Sequence, residues 1–194
     1  MIKPTDRLIE AIFIGTSAGG VQTLNTLFDL LAPNFKIPIV TVIHLGEKPF
    51  IPSAFRAPRG LKIIEAEEKD MIQPGLIYFA PANYHLLIES DKTFSLSNEE
   101  KIQFARPALD VTMDSMAEVY NKKLLGIVLT GANEDGAAGL LAIKENGGMT
   151  VVQNPANALY PTMPEAAIKK SAPDYILTLE QIGSLMCNLK GAYE

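Results

Sequence analysis

Cysteine and histidine are both scarce in this 194-residue chain, and each scarcity excludes something. A single cysteine, Cys187, rules out an internal disulfide and a cysteine-rich metal site, and it reads as an ordinary small residue on a C-terminal helix. With only two histidines, His44 and His85, any chemistry that needs an imidazole has a binary choice. No run of lysine or arginine stands out, and the net charge is −5, so non-specific attraction to nucleic acid is not expected. No apolar segment approaches the ~18 residues of a membrane span. The N-terminal MIKPTDRLIE lacks the apolar region of a secretory signal, so a cytoplasmic protein that is not membrane-inserted is the expectation. Repeats, low-complexity stretches and linkers are also missing, which points to a single domain over residues 1–194. Its 47% hydrophobic content is enough for a sizeable core.

What the chain does have is concentrated in AIFIGTSAGG (residues 11–20). A short apolar run leads directly into Gly15, Thr16, Ser17, Ala18 and Gly19, a G-x-S-x-G pattern. In the context of strand, turn and helix, that pattern is what a nucleophilic serine requires, because small neighbours allow a sharp turn that exposes the hydroxyl. A glycine-rich turn of this kind also cradles phosphates, and it can be a plain tight turn. The phosphate reading is weakened because no P-loop lysine follows the glycines and His44 occupies the end of the second strand.

Strands are expected at residues 11–14, 37–43, 61–64, 76–79, 124–129, 149–152 and 175–177, with helices at 109–120, from about 135 to the Gly147–Gly148 stop, at 164–170 and at 179–189. A further helix after the serine turn follows from Val21, Leu24, Leu27, Phe28 and Leu31. Segments 84–88 and 93–96 flank a polar turn and predict a β-hairpin. Asp110 is expected to cap helix 109–120. The alternation gives an α/β fold: a doubly wound, mostly parallel sheet with helices on both faces and an inserted β-hairpin.

In such sheets, ligands bind outside the C-terminal ends of the strands. Ser17, His44 and Asp135 each follow a separate apolar run, so parallel strands would bring them to one edge. Their types suit a serine activated by an imidazole that a carboxylate orients. Backbone N–H groups of Ala18, Gly19, Gly131 and Ala132 are the candidates for oxyanion or backbone support. Rival readings remain: a satisfied histidine at a strand end, an Asp135 that only caps its own helix, Glu134 or Asp70 as the acid, and His85 as a strand or rim residue. The order Ser, His, Asp differs from that of α/β-hydrolases, and a patatin-like serine–aspartate pair also fits the local pattern. Lys48, Arg56, Arg59, Lys101 and Arg106 are possible rim contacts.

Taken together, the motifs resemble the CheB-type chemotaxis protein-glutamate methylesterase catalytic domain. IGTSAGG (14–20), IHL (43–45), APANYH (80–85), ARPALDV (105–111), LTGANEDGAAGLLAIKENGG (129–148) and QNPANALYPTMPEAAI (153–168) fall in the family's order. The resemblance implies Ser17 as nucleophile, His44 as base and Asp135 as orienting acid, with no metal or organic cofactor. It implies hydrolysis of γ-glutamyl methyl esters on methyl-accepting chemoreceptor helices with release of methanol, glutamine deamidation in many members, and a chain without the usual receiver domain. A monomer is the simplest expectation. Departures from the pattern lie at Ala18, where threonine is usual, at Ile43, Gly46 and Ala105, and at Ala132 and Asn133, which replace Met-Gly. They leave open a catalytically idle module that binds a receptor or signalling partner.

Overall fold

The computed structural model describes residues 7–45 and 51–193. Strands and helices alternate along the chain as β1 (Leu8–Ile9), β2 (Ala11–Thr16), α1 (Gly20–Asp29), β3 (Ile39–Ile43), β4 (Lys62–Glu65), β5 (Leu76–Phe79), β6 (His85–Ile88), β7 (Phe94–Ser97), α2 (Leu109–Tyr120), β8 (Leu124–Val128), α3 (Ala137–Glu145), β9 (Met149–Gln153), α4 (Thr162–Ser171), β10 (Tyr175–Leu177), α5 (Leu179–Cys187) and β11 (Lys190–Gly191). Among the described residues, no helix is long and apolar enough to cross a membrane.

Seven strands form one sheet in the order β10-β9-β8-β2-β3-β5-β4, every pairing parallel. Strands β2, β3, β8 and β9 are buried along their whole length. That is why they read in the sequence as continuous apolar runs rather than as alternations. Successive side chains still point to opposite faces. Ile12 and Ile14 share a core layer with Leu24, Leu27 and Phe28 of α1 and Ile182, Leu185 and Met186 of α5. On the other face, Ala11 and Phe13 share a layer with Met113 and Met116 of α2, Leu140 of α3, Met163 of α4, and Leu86 and Phe94 of the antiparallel β6–β7 hairpin. The doubly wound sheet with its inserted hairpin is therefore present as expected. The pairing of β1 with β11, two residues on each side, was not anticipated, because segments that short carry no periodicity.

From β2 the chain builds outward in one direction through β3 and returns on the other side at β8, so the crevice between β2 and β8 is the topological switch point. The N-termini of α2 and α3 meet there and exchange carboxylates. Leu109 and Asp110 N–H, in the first turn of α2, donate to Asp135 Oδ2 and Oδ1 at 2.7 and 3.0 Å. Gly136 and Gly139 N–H, at the start of α3, donate to Asp110 Oδ1 at 2.9 and 2.7 Å. Asp110 thus caps α3 instead of its own helix, and Asp135 caps α2. Each helix lacks a side-chain cap of its own, with Ala108 and Gly136 at the cap positions. The crossed arrangement supplies the acceptors that orphan N–H groups need and sets two carboxylates against positive helix ends.

Burial pushes the Asp110 carboxyl above the usual carboxylate range, and the Asp135 charge adds to this against the pull of the Gly139 and Gly136 N–H bonds. Between the unfolded value and this raised one the native state holds more protons than the unfolded state, so this contribution to stability falls as pH rises through that window. Because both N–H bonds end on the same Oδ1, Asp110→Asn can keep them while shedding the charge. We expect Asp110→Asn to lie within about 1 kcal/mol of wild type and Asp110→Ala to cost about 1–2 kcal/mol. The Asn variant should gain on wild type as pH is raised from below the ordinary aspartate range to neutrality, as read from urea-unfolding midpoints.

Candidate active site

The serine turn is clamped from two sides. Thr16 Oγ1 and Ser17 N–H both donate to the Thr130 carbonyl, at 2.8 and 3.0 Å, which ties the end of β2 to the end of β8. The Thr130 hydroxyl in turn bonds the Ala18 carbonyl at 3.1 Å and accepts from Tyr160 N–H at 2.9 Å. Gly19 has φ +77°, a conformation that only glycine adopts without strain, and α1 begins immediately after it. Gly131 is needed for space, since a Cβ there would overlap Met163 Sδ and stand 3.0 Å from Ser17 Cβ. Its N–H is bonded to the Tyr160 carbonyl at 3.0 Å, so Gly131 supports the site by its smallness and is not free to serve as an oxyanion donor. Among the described residues, the N–H groups of Ala18, Gly19 and Ala132 have no hydrogen-bond partner.

His44 follows β3, and its N–H donates to the Thr16 carbonyl at 3.2 Å. Its Nε2 lies 2.9 Å from Asp135 Oδ2, with side-chain exposures of 12% and 0%. A carboxylate only accepts, so Nε2 carries the ring proton and Nδ1 holds the lone pair. This is the reverse of the serine-protease template, in which the acid meets Nδ1. Nδ1 faces the side-chain amide of Asn133, whose Nδ2 is 3.0 Å away and also 3.4 Å from Ser17 Oγ. Ser17, His44 and Asp135 are thereby assembled at the ends of β2, β3 and β8, with Asn133 interposed between the hydroxyl and the ring.

The rival residues fall elsewhere. His85 is buried in β6, accepts at Nδ1 from Ala108 N–H at 3.2 Å and donates from Nε2 to the Glu100 carbonyl at 3.0 Å. Both nitrogens are occupied in holding the approach to α2, so it is a structural histidine. Glu134 is exposed beside Asp135, and Asp70 is exposed near the hairpin. Arg56 is paired with Asp29 of α1. Arg59 is exposed on the segment before β4, and Lys48 and Gly46 lie outside the described residues. Lys101 and Arg106 do line a cleft of about 290 Å³ with His44, Asn133, Gln103 and Phe104. Arg106 Nη1 donates to the Asn98 and Glu99 carbonyls, 2.6 and 2.7 Å away, and so shapes the loop that forms the cleft wall.

The CheB methylesterase family model matches residues 12–186. The chain belongs to that family. The crystal structure of the Thermotoga maritima CheB methylesterase catalytic domain superimposes with a TM-score of 0.86 at 31% identity, covering 92% of this chain and 97% of that one. A Leptospira interrogans protein is 50% identical over 183 residues, spanning 93% of this chain and 94% of its own length. The Thermotoga maritima protein-glutamate methylesterase/protein-glutamine glutaminase is 31% identical over 185 residues, and the Pyrococcus abyssi protein of the same description is 32% identical over 186. The chain spans about half the length of these last two, 54% and 50%.

Three features of this CheB-family site were not readable in the sequence: the capping of α2 by Asp135, the ring orientation of His44, and the bridging by Asn133. Only the last left a trace, because Asn at the head of N-E-D-G is an Asx-turn former. Replacing Asp135 with Asn keeps the volume, but an NH₂ at the Oδ2 position faces both Leu109 N–H and His44 Nε2, so the ring must give up its Nε2 proton and one backbone donor is left unpaired. We expect a fall of about 10⁴-fold in hydrolysis of an activated ester, since the wrong tautomer of His44 is favoured. Stability should drop by about 1–3 kcal/mol for the donor left unpaired. Steady-state kinetics and denaturant unfolding on the same preparation separate the two effects.

Proposed function

We propose that this chain is a serine esterase that hydrolyses γ-glutamyl methyl esters on the helices of methyl-accepting chemoreceptors, releasing methanol. The observation that carries the reading is the Ser17, His44 and Asp135 constellation at the switch-point end of a CheB-family sheet, with the 2.9 Å contact from His44 to Asp135. In the first step Ser17 Oγ attacks the ester carbonyl carbon while its proton passes to His44 Nδ1. Asp135, anchored by two α2 N–H bonds, stabilises the imidazolium that forms. The N–H groups of Ala18, Gly19 and Ala132, which have no other partner among the described residues, are the donors for the oxyanion, each worth roughly 3–4 kcal/mol in systems of this type. Collapse breaks the ester C–O bond, His44 returns its proton to the departing methoxide, and water then hydrolyses the acyl-serine by the same route. On a glutamine side chain the identical sequence releases ammonia.

The surroundings suit a substrate presented on the outside of another protein. The cleft is open and not enclosed, and Phe104 on its lip is 98% exposed, with Ile102 beside it at 42%. A fully solvent-facing aromatic beside a reactive centre is the kind of contact an interface buries.

A serine-directed fluorophosphonate, read by intact mass, tests the reading. Wild type should acquire one adduct on Ser17, and Ser17→Ala none. His44→Ala should slow modification by at least about 10²-fold. His85→Ala should lower stability while the folded fraction still reacts. An adduct rate indifferent to His44 would overturn the assignment of the base. No adduct on folded wild type would favour the idle binding module.

A further inference from the structure

The environment of Asn133 goes beyond the esterase reading, although it rests on Ser17 and His44 being nucleophile and base. Two independent constraints fix the hydrogen bonding. Asn133 Oδ1 accepts Asp135 N–H at 3.1 Å, and a backbone N–H can only donate, so the amide oxygen faces the main chain and the NH₂ faces the imidazole. His44 Nε2 faces a carboxylate, so the ring proton is there and the lone pair is on Nδ1. The 3.0 Å contact between Asn133 Nδ2 and His44 Nδ1 is therefore a donor meeting the one lone pair that the base possesses. The same Nδ2 lies 3.4 Å from Ser17 Oγ. Among the described residues, no hydrogen bond joins Ser17 Oγ directly to His44.

We infer that Asn133 is a positioning residue that latches the pair in a resting state: its amide occupies the basic nitrogen of His44, and Ser17 gains its base only when that side chain turns away. Room for the turn exists, because Asn133 and His44 both border the open cleft. The family pattern carries glycine at this position, which has no side chain to place between hydroxyl and ring. An acyl group entering the cleft releases it by taking over the contacts of the amide, which couples activation of the serine to occupancy of the site.

The test compares wild type, Asn133→Ala and Asn133→Ser for the rate of fluorophosphonate modification, with Ser17→Ala as the background. Asn133→Ser retains an oxygen for Asp135 N–H but is too short to reach the imidazole, so it guards against a collapsed loop in the Ala variant. Opening the latch should accelerate modification by about 5- to 30-fold, the factor expected for releasing one or two neutral hydrogen bonds. The accompanying readout is the ¹⁵N signal of His44 Nδ1 in imidazole-labelled protein. It should report an unprotonated nitrogen in wild type and move in both variants, which a merely structural asparagine would not cause. Equal or slower modification in folded variants, or an unchanged Nδ1 signal, overturns the latch while leaving the esterase intact. Absence of any adduct that depends on Ser17, in wild type and both variants, removes the esterase reading and the latch with it.

Discussion

A carboxylate buried at a helix N-terminus is the constraint on which the rest of the site depends. Asp135 is wholly shielded from solvent, and a buried charge persists only where donors surround it. Leu109 and Asp110 N–H provide them, with the positive end of α2 behind. Once the carboxylate is fixed, the rest is determined in turn. Its remaining acceptor capacity selects Nε2–H of His44, that selection puts the lone pair on Nδ1, and Nδ1 is turned toward Asn133, whose amide also approaches Ser17. The reciprocal bond of Asp110 to the start of α3 locks the two helix ends in register. Even His85 contributes indirectly, by holding Ala108 at the entry to α2.

The architecture was legible in the sequence because a parallel sheet covered on both faces imposes a strong pattern. Runs such as IPIVTVI and LLGIVL have no reason to exist except in doubly buried strands. The three strand-end residues were legible for the same reason, since parallel strands place every C-terminus on one side. Adjacency was not legible: that β3 and β8 flank β2 is a matter of strand order, which no local pattern encodes. Nor could the exchange of caps be foreseen. Asp110 sits where a local cap is expected, and only the close approach of α2 to α3, which the small Gly139 permits, redirects each carboxylate to the neighbouring helix.

The departures from the family pattern now divide into two kinds. Ala18 and Ala132 alter side chains where the backbone N–H is the group of interest, so the proposed oxyanion donors are unaffected by the change. Asn133 is different in kind, since it adds a polar group between hydroxyl and ring. The Asp135 anchor on α2 and its contact with His44 Nε2 are both present alongside these changes.

The most direct measurement is conversion of a helical chemoreceptor fragment carrying a γ-glutamyl methyl ester, followed by mass spectrometry in ¹⁸O-labelled water. The account predicts replacement of the ester by a carboxylate that has gained one ¹⁸O atom, with matching release of methanol, and no conversion by Ser17→Ala. An ester left untouched by folded wild type, or converted equally well by Ser17→Ala, would contradict it.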